Sequence, residues 1–180
     1  MNSLTVVAFE VPTSTEVDSR TITGVAVPYD TSGRPGGTFA GVPVSFAPGS
    51  LSKSISERGS KVRLIVDHDR TRPIGKLVAH SDTAEGLETS WRIARTPAGD
   101  SVLAEAADGI RDGLSIGVDV LEHEVDGDSI RVTEARLVEV SLVAFPAYDS
   151  ARVADVAATE VPRGIDPRIV RYKLNLRSSQ

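Results

Sequence analysis

A mainly β fold with a few helices, of the α+β class, is what this 180-residue sequence predicts. Three observations lead there. About seven short runs rich in Val, Ile and Thr recur along the chain with Gly, Pro and Asp between them, the pattern of strands and turns. One stretch only, residues 100–112, carries a convincing helical period. Aromatic residues make up just 4% of the chain, so Val, Leu, Ile and Ala must fill the core, and their branched side chains suit a pleated surface. Seven strands are too many for a helical bundle, and one helix is too few for a doubly wound sheet. A compact barrel or sandwich, with a few packed helices, remains.

The elements follow in order. Leu4 to Val11 and Thr21 to Val27 read as short strands of one hairpin, the second closed by Pro28 and Tyr29-Asp30-Thr31-Ser32-Gly33. Residues 33–49 hold five Gly and three Pro and read as loop. Ser50 is placed to cap a short helix through Leu51 and Ile55. Lys61 to Val66 reads as a buried strand that runs abruptly into Asp67-His68-Asp69-Arg70. Ile74 to His80 and Leu87 to Ile93 flank a turn-rich stretch at 81–86 and form a second hairpin, with Trp91 in its second arm. In the helix, Val102, Leu103, Ala106, Ala107 and Ile110 share one face, and Gly113 stands where a C-cap glycine belongs. Beyond it Leu114 to Val120 alternates strictly, Asp126-Gly127-Asp128 supplies a tight turn, and Ile130 to Ala144 returns as a long strand ended by Pro146.

Charge and composition limit the chemistry. The net charge of −5 is uneven: residues 151–180 hold six bases and three acids, a net of +3, which leaves −8 on residues 1–150. The expected organisation is therefore a β domain over residues 1–150 and a basic extension over 151–180, either flexible or docked as a helix through Ile165, Ile169 and Val170. An acidic body argues against specific nucleic-acid binding. No segment approaches the roughly 18 consecutive apolar residues of a membrane helix, and Met1-Asn2-Ser3-Leu4 lacks the build of a signal peptide, so no membrane partner is expected. The chain has no Cys, which excludes disulfides, thiolate metal sites and cysteine nucleophiles.

Gly113-Leu114-Ser115-Ile116-Gly117 matches the G-x-S-x-G string of a nucleophile elbow. That elbow needs a strand before the Ser and a helix after it, whereas here a helix precedes Ser115 and a strand follows. The alternation says more. With Leu114, Ile116, Val118 and Val120 turned to the core, Ser115 and Gly117 face outward, and their small side chains leave room for a substrate backbone. In the later strand, Val138, Val140 and Leu142 form the apolar face and Glu139 and Ser141 the other. A carboxylate inside so apolar a run loses hydration unless something partners it. Of the three His, His68 alone ends an apolar strand between two carboxylates, while His80 and His123 read as surface positions. Val62 to Val66 is too continuously apolar to reveal which way His68 faces. A metal site on Asp67, His68 and Asp69 is disfavoured because neighbouring strand residues diverge.

Five strings in one order then carry a resemblance: Gly24-Val25-Ala26-Val27-Pro28-Tyr29, Phe46-Ala47-Pro48-Gly49-Ser50, Val66-Asp67-His68-Asp69 with Pro73-Ile74-Gly75, the Gly113 to Gly117 string, and Glu139-Val140-Ser141-Leu142-Val143 with Pro146-Ala147-Tyr148. Over roughly residues 20–150 the chain resembles the prohead maturation proteases of tailed bacteriophages, a family related in fold to the herpesvirus assemblins. The resemblance implies a compact, closed or partly open β-barrel ringed by helices, and a serine endopeptidase without metal or organic cofactor. It implies work inside the prohead in the bacterial host cytoplasm, on a scaffold segment of the major capsid protein or a separate scaffolding protein, with self-association as a further expectation. A silent barrel serving as a capsid assembly factor is the competing expectation. Ser115 becomes the nucleophile and His68 the general base. Assemblins use a second His as third member, where this sequence offers Glu139, with Asp67 or Asp69 as competitors. Assemblins also resemble one another in an Arg-bearing oxyanion loop; after Glu139 this sequence shows no Arg pair, only Pro146-Ala147-Tyr148 and then Arg152, which leaves the oxyanion donors unassigned. The basic extension becomes a segment that contacts scaffold or is trimmed by the enzyme itself.

Overall fold

The computed structural model describes residues 20–157. The expected strand at Leu4 to Val11, the hairpin it was to form, and the docking residues Ile165, Ile169 and Val170 lie outside the described residues. Ten elements follow in chain order: β1 (Thr21–Pro28), β2 (Val44–Phe46), α1 (Ser52–Arg58), β3 (Arg63–Val66), β4 (Asp69–Asp82), β5 (Gly86–Ile93), α2 (Pro97–Ala107), β6 (Gly113–Asp126), β7 (Ser129–Val143) and β8 (Val153–Ala157). All eight strands belong to one sheet in the order β2-β7-β3-β4-β5-β1-β8, with β6 on the other edge of β7. The sheet curls until its ends meet at a single bridge, Gly113 to Arg152, and at the Leu114 N–H, which donates to the Ala151 carbonyl at 2.8 Å. No ladder joins β6 to β8, so the sheet is open.

The fold is thus mostly β with a few helices, as expected, with eight strands among the described residues, where six of the seven expected strands fall, and without closure of the ring. Two strands are unforeseen, β8 and, first in the chain, β2. It lies inside the Gly- and Pro-rich stretch, is three residues long, and survives by pairing in parallel with Ile130 to Val132 of β7. The last strand, β8, lies at the start of the segment expected as a basic extension. β8 covers the free edge of β1, and Ala151 just before it is fully buried, so an exposed hydrogen-bonding edge is closed.

The core contains Trp91, Leu64, Leu114, Leu137, Val140 and Leu142, all fully buried. The indole N–H of Trp91 donates to Thr89 Oγ1 at 2.8 Å, which satisfies the one polar atom of that ring. Three helix ends depart from expectation. Ser50 does not cap α1; Leu51 occupies the N-cap with no side-chain bond, and Ser50 is buried. The helix is held instead from its side, where Ser54 Oγ accepts the Leu137 N–H at 2.8 Å. α2 starts three residues early, because Thr96 accepts the Gly99 N–H and Pro97 is prearranged for the first turn. It stops at Ala107 because Gly109 takes φ +71°, a conformation glycine adopts readily. Gly113 is the first residue of β6, and Ile110 is left 65% exposed. Among the described residues, no helix is long and apolar enough to cross a membrane.

Candidate active site

Register on β7 assembles the site. In the β6–β7 hairpin, Ser115 lies directly opposite Ser141 and Gly117 directly opposite Glu139. Because side chains alternate with period two, these four positions share one face of the sheet, and a slip of one residue would scatter them. On the other side of β7, β3 runs parallel, pairing Ile65 with Ser141 and Val66 with Leu142. The chain then reverses into β4 through a two-residue turn, Asp67-His68, which folds His68 over the face that carries Glu139 and Ser141.

That turn explains why the facing of His68 was hidden in the sequence. Asp67 and His68 both have positive φ, +51° and +59°, as the favoured two-residue hairpin turn requires. Such a conformation costs a non-glycine residue on the order of 1–2 kcal/mol. Three contacts hold it: the Asp67 N–H donates to the Leu142 carbonyl at 3.2 Å, the His68 N–H donates to Ser141 Oγ at 2.9 Å, and the Asp67 carboxylate accepts from Arg111. Arg111 is itself held by Glu105 at 2.9 Å.

His68 Nδ1 lies 2.7 Å from Glu139 Oε1, and His68 Nε2 lies 3.0 Å from Ser115 Oγ. A carboxylate can only accept, so Nδ1 carries the proton, and Nε2 is left to accept the Ser115 hydroxyl. Glu139 is 6% exposed, and its second oxygen accepts from Ser141 Oγ at 2.9 Å. The hydrogen bond to Glu139 raises the pKa of His68 above its ordinary value; partial burial opposes it, and the charges of Glu139 and Asp67 add to it. The structure therefore brings together Ser115, His68 and Glu139 and leaves out the two competitors. Asp67 turns to Arg111, and the Asp69 carboxylate accepts from the N–H of Thr71 at 2.9 Å and from its hydroxyl at 2.6 Å. His80 pairs across to β5, and His123 meets Phe39 edge-on.

Gly117 departs from expectation. The room above it is filled by Glu139: a Cβ placed there would stand 2.4 Å from Oε1 and 3.0 Å from both Cδ and Cγ. Gly117→Ala should therefore push the carboxylate off His68 and lower the reactivity of Ser115 about 100-fold, the scale of a misplacement of about 1 Å. An unchanged rate, with circular dichroism reporting an intact fold, would show that the carboxylate has slack.

Sequence reasoning missed Ser141 as part of the site, although its placement two residues after Glu139 put it on the same face. Arg152, the one Arg near the loop after β7, donates to Asp112 at 2.7 Å and to the Asp149 carbonyl at 2.8 Å. A cleft of about 870 Å³ opens beside Ser115 and His68, walled by Phe39, Ile116, Val118 and Phe145 among others. Phe145 is 94% exposed. Beyond Leu114, whose N–H donates to the Ala151 carbonyl, β6 forms a ladder only with β7 among the described residues, and its second edge carries no strand from Ser115 onward.

Residues 8–163 match the profile of the caudovirus prohead serine proteases. The fold is similar to that of the varicella-zoster virus protease, with a TM-score of 0.50 and 13% identity over 89% of this chain and 76% of the other. The protease of Kaposi's sarcoma herpesvirus aligns with a TM-score of 0.45 and 12% identity over 89% of this chain and 76% of that one. The capsid assembly protease of bacteriophage T4 aligns with a TM-score of 0.43 and 9% identity over 68% of this chain and 97% of that one. No curated protein sequence matches.

Proposed function

The chain belongs to the caudovirus prohead serine protease family, and from that premise we propose that it cuts scaffold segments of its capsid protein, or a separate scaffolding protein, inside the assembling prohead. Ser115 is the nucleophile, His68 the general base and Glu139 the group that orients the base. One observation carries this reading: the continuous chain of hydrogen bonds from Ser115 Oγ through the imidazole to Glu139. The same chain favours catalysis over a silent barrel, since a buried carboxylate aimed at a half-exposed imidazole has no need to exist in a scaffold.

The chemistry then proceeds in two halves. An extended substrate lies along the open edge of β6, where backbone groups add as they would to a further strand. Ser115 Oγ attacks the scissile carbonyl while its proton passes to His68 Nε2. The imidazolium so formed is stabilised by Glu139 through Nδ1–H. His68 then returns the proton to the departing amine, and water, activated by the same nitrogen, releases the acyl group from Ser115. Inside a prohead the substrate is concentrated, so a modest rate constant suffices.

The test is incubation of the full chain with its assembled cognate capsid protein, followed by mass spectrometry. Discrete shortening that stops when a fluorophosphonate has labelled Ser115 is expected. Shortening that continues after Ser115 is fully labelled would overturn the reading. The pH dependence has a definite sign. His68 acts as a base only when neutral, and its pKa is raised by Glu139. kcat/KM should therefore climb with pH through an apparent pKa above the ordinary value of about 6.5; an acid limb at or below that value would contradict the assignment of His68.

A further inference from the structure

We propose that Ser141 is a positioning residue for the reaction, the single buried group that ties the backbone of His68 to the carboxylate of Glu139. The inference rests on the reading of Ser115, His68 and Glu139 given above. Ser141 is fully buried on β7. Its hydroxyl is used in both directions: it accepts the backbone N–H of His68 at 2.9 Å and donates to Glu139 Oε2 at 2.9 Å. One oxygen atom thus ties the backbone that carries the base to the carboxylate that orients it.

Both ties answer a specific need. His68 stands at φ +59°, directly after Asp67 at φ +51°, and a strained turn keeps its shape only where the surroundings hold it. Asp67 is held by the Leu142 carbonyl and by Arg111, and the N–H of His68 by Ser141. Glu139 has three rotatable bonds, and its bond to His68 uses only one oxygen. Were Oε2 free, the carboxylate plane could turn and carry Oε1 away from Nδ1. Ser141 holds Oε2 from one side while Gly117 leaves just enough space for Oε1 on the other. No backbone group on this face can do the same, because the task needs a donor and an acceptor on one atom, which a hydroxyl supplies. Ser141 touches no substrate; it acts through His68 and Glu139.

Ser141→Ala removes both ties while keeping the residue small. The readout is the second-order rate at which a fluorophosphonate labels Ser115, followed across pH in the full chain. Labelling near neutral pH is expected to fall about 10- to 100-fold, the range seen when groups supporting a reactive centre are removed. The acid limb is expected to move down toward the ordinary histidine value, since a carboxylate free to turn no longer raises the pKa of His68. Ser141→Cys, which fills the site and donates weakly, should fall between the two and keeps the test readable where the alanine variant folds poorly. An acid limb that stays at the wild-type position in both variants would overturn the proposal, whether the rate is intact or falls only with the folded fraction. Failure of the underlying reading looks different: the fluorophosphonate would then label the Ser115→Ala variant as readily as wild type.

Discussion

Ser115→Ala is expected to leave less than about one part in 10⁴ of wild-type cleavage, the scale of losing a serine nucleophile, with the fold intact. Co-expression with the cognate capsid protein should show shortening with wild type and none with the variant. Stability should hardly change, because the Ser115 hydroxyl is bonded to a half-exposed imidazole and its loss strands no buried group. A melting temperature within a few degrees of wild type, together with dead enzyme, would separate chemistry from folding. Equal processing by both proteins would sink Ser115 as the nucleophile.

Glu139→Gln should have the next largest effect, a fall of roughly 10²- to 10⁴-fold in kcat. The amide matches the carboxylate in shape, and its carbonyl still accepts from Nδ1. What disappears is the charge that stabilises the imidazolium. The apparent pKa of His68 should fall toward its ordinary value, so the acid limb moves to lower pH even as the maximum drops. Stability follows the same linkage. In wild type His68 has a raised folded-state pKa, so its contribution is fully present below the unfolded value of about 6.5 and is lost as pH rises through the folded one. The gap in melting temperature between wild type and Glu139→Gln should therefore be wider near pH 5 than near pH 8. A gap independent of pH, or unaltered kinetics, would show that Glu139 does not bear on the charge of His68.

Much of this architecture was legible in the residues, and the exceptions have physical causes. Strict alternation from Leu114 to Val120 revealed β6, and placed Ser115 and Gly117 on one face, because a strand with one buried face repeats every two residues. Glu139 was conspicuous because an unpartnered carboxylate is costly in so apolar a run. The orientation of His68 was illegible, since it depends on positive φ at two non-glycine residues, which no hydrophobic pattern records. β2 was hidden because three residues are too few to show a period. Ile110 matched the helical face, yet the turn at Gly109 had already ended α2. The space at Gly117 was correctly read as necessary and assigned to the wrong occupant: Glu139 fills it, not substrate.

The arrangement of ladders around β7 bears on the time course of folding. Ser115 and Glu139 are joined through the antiparallel β6–β7 hairpin, whose strands are linked by a tight turn around Gly127, and such local pairings close within microseconds. His68 arrives by a different route. It reaches Ser141 across 73 residues of chain through the parallel β3–β7 pairing, and contacts of that separation carry the entropy of a long closed loop before they return anything. A partly folded chain is thus expected to hold Ser115 and Glu139 in register before His68 stands between them. The complete hydrogen-bonded chain from Ser115 to Glu139 is therefore expected only with the long-range part of the native fold.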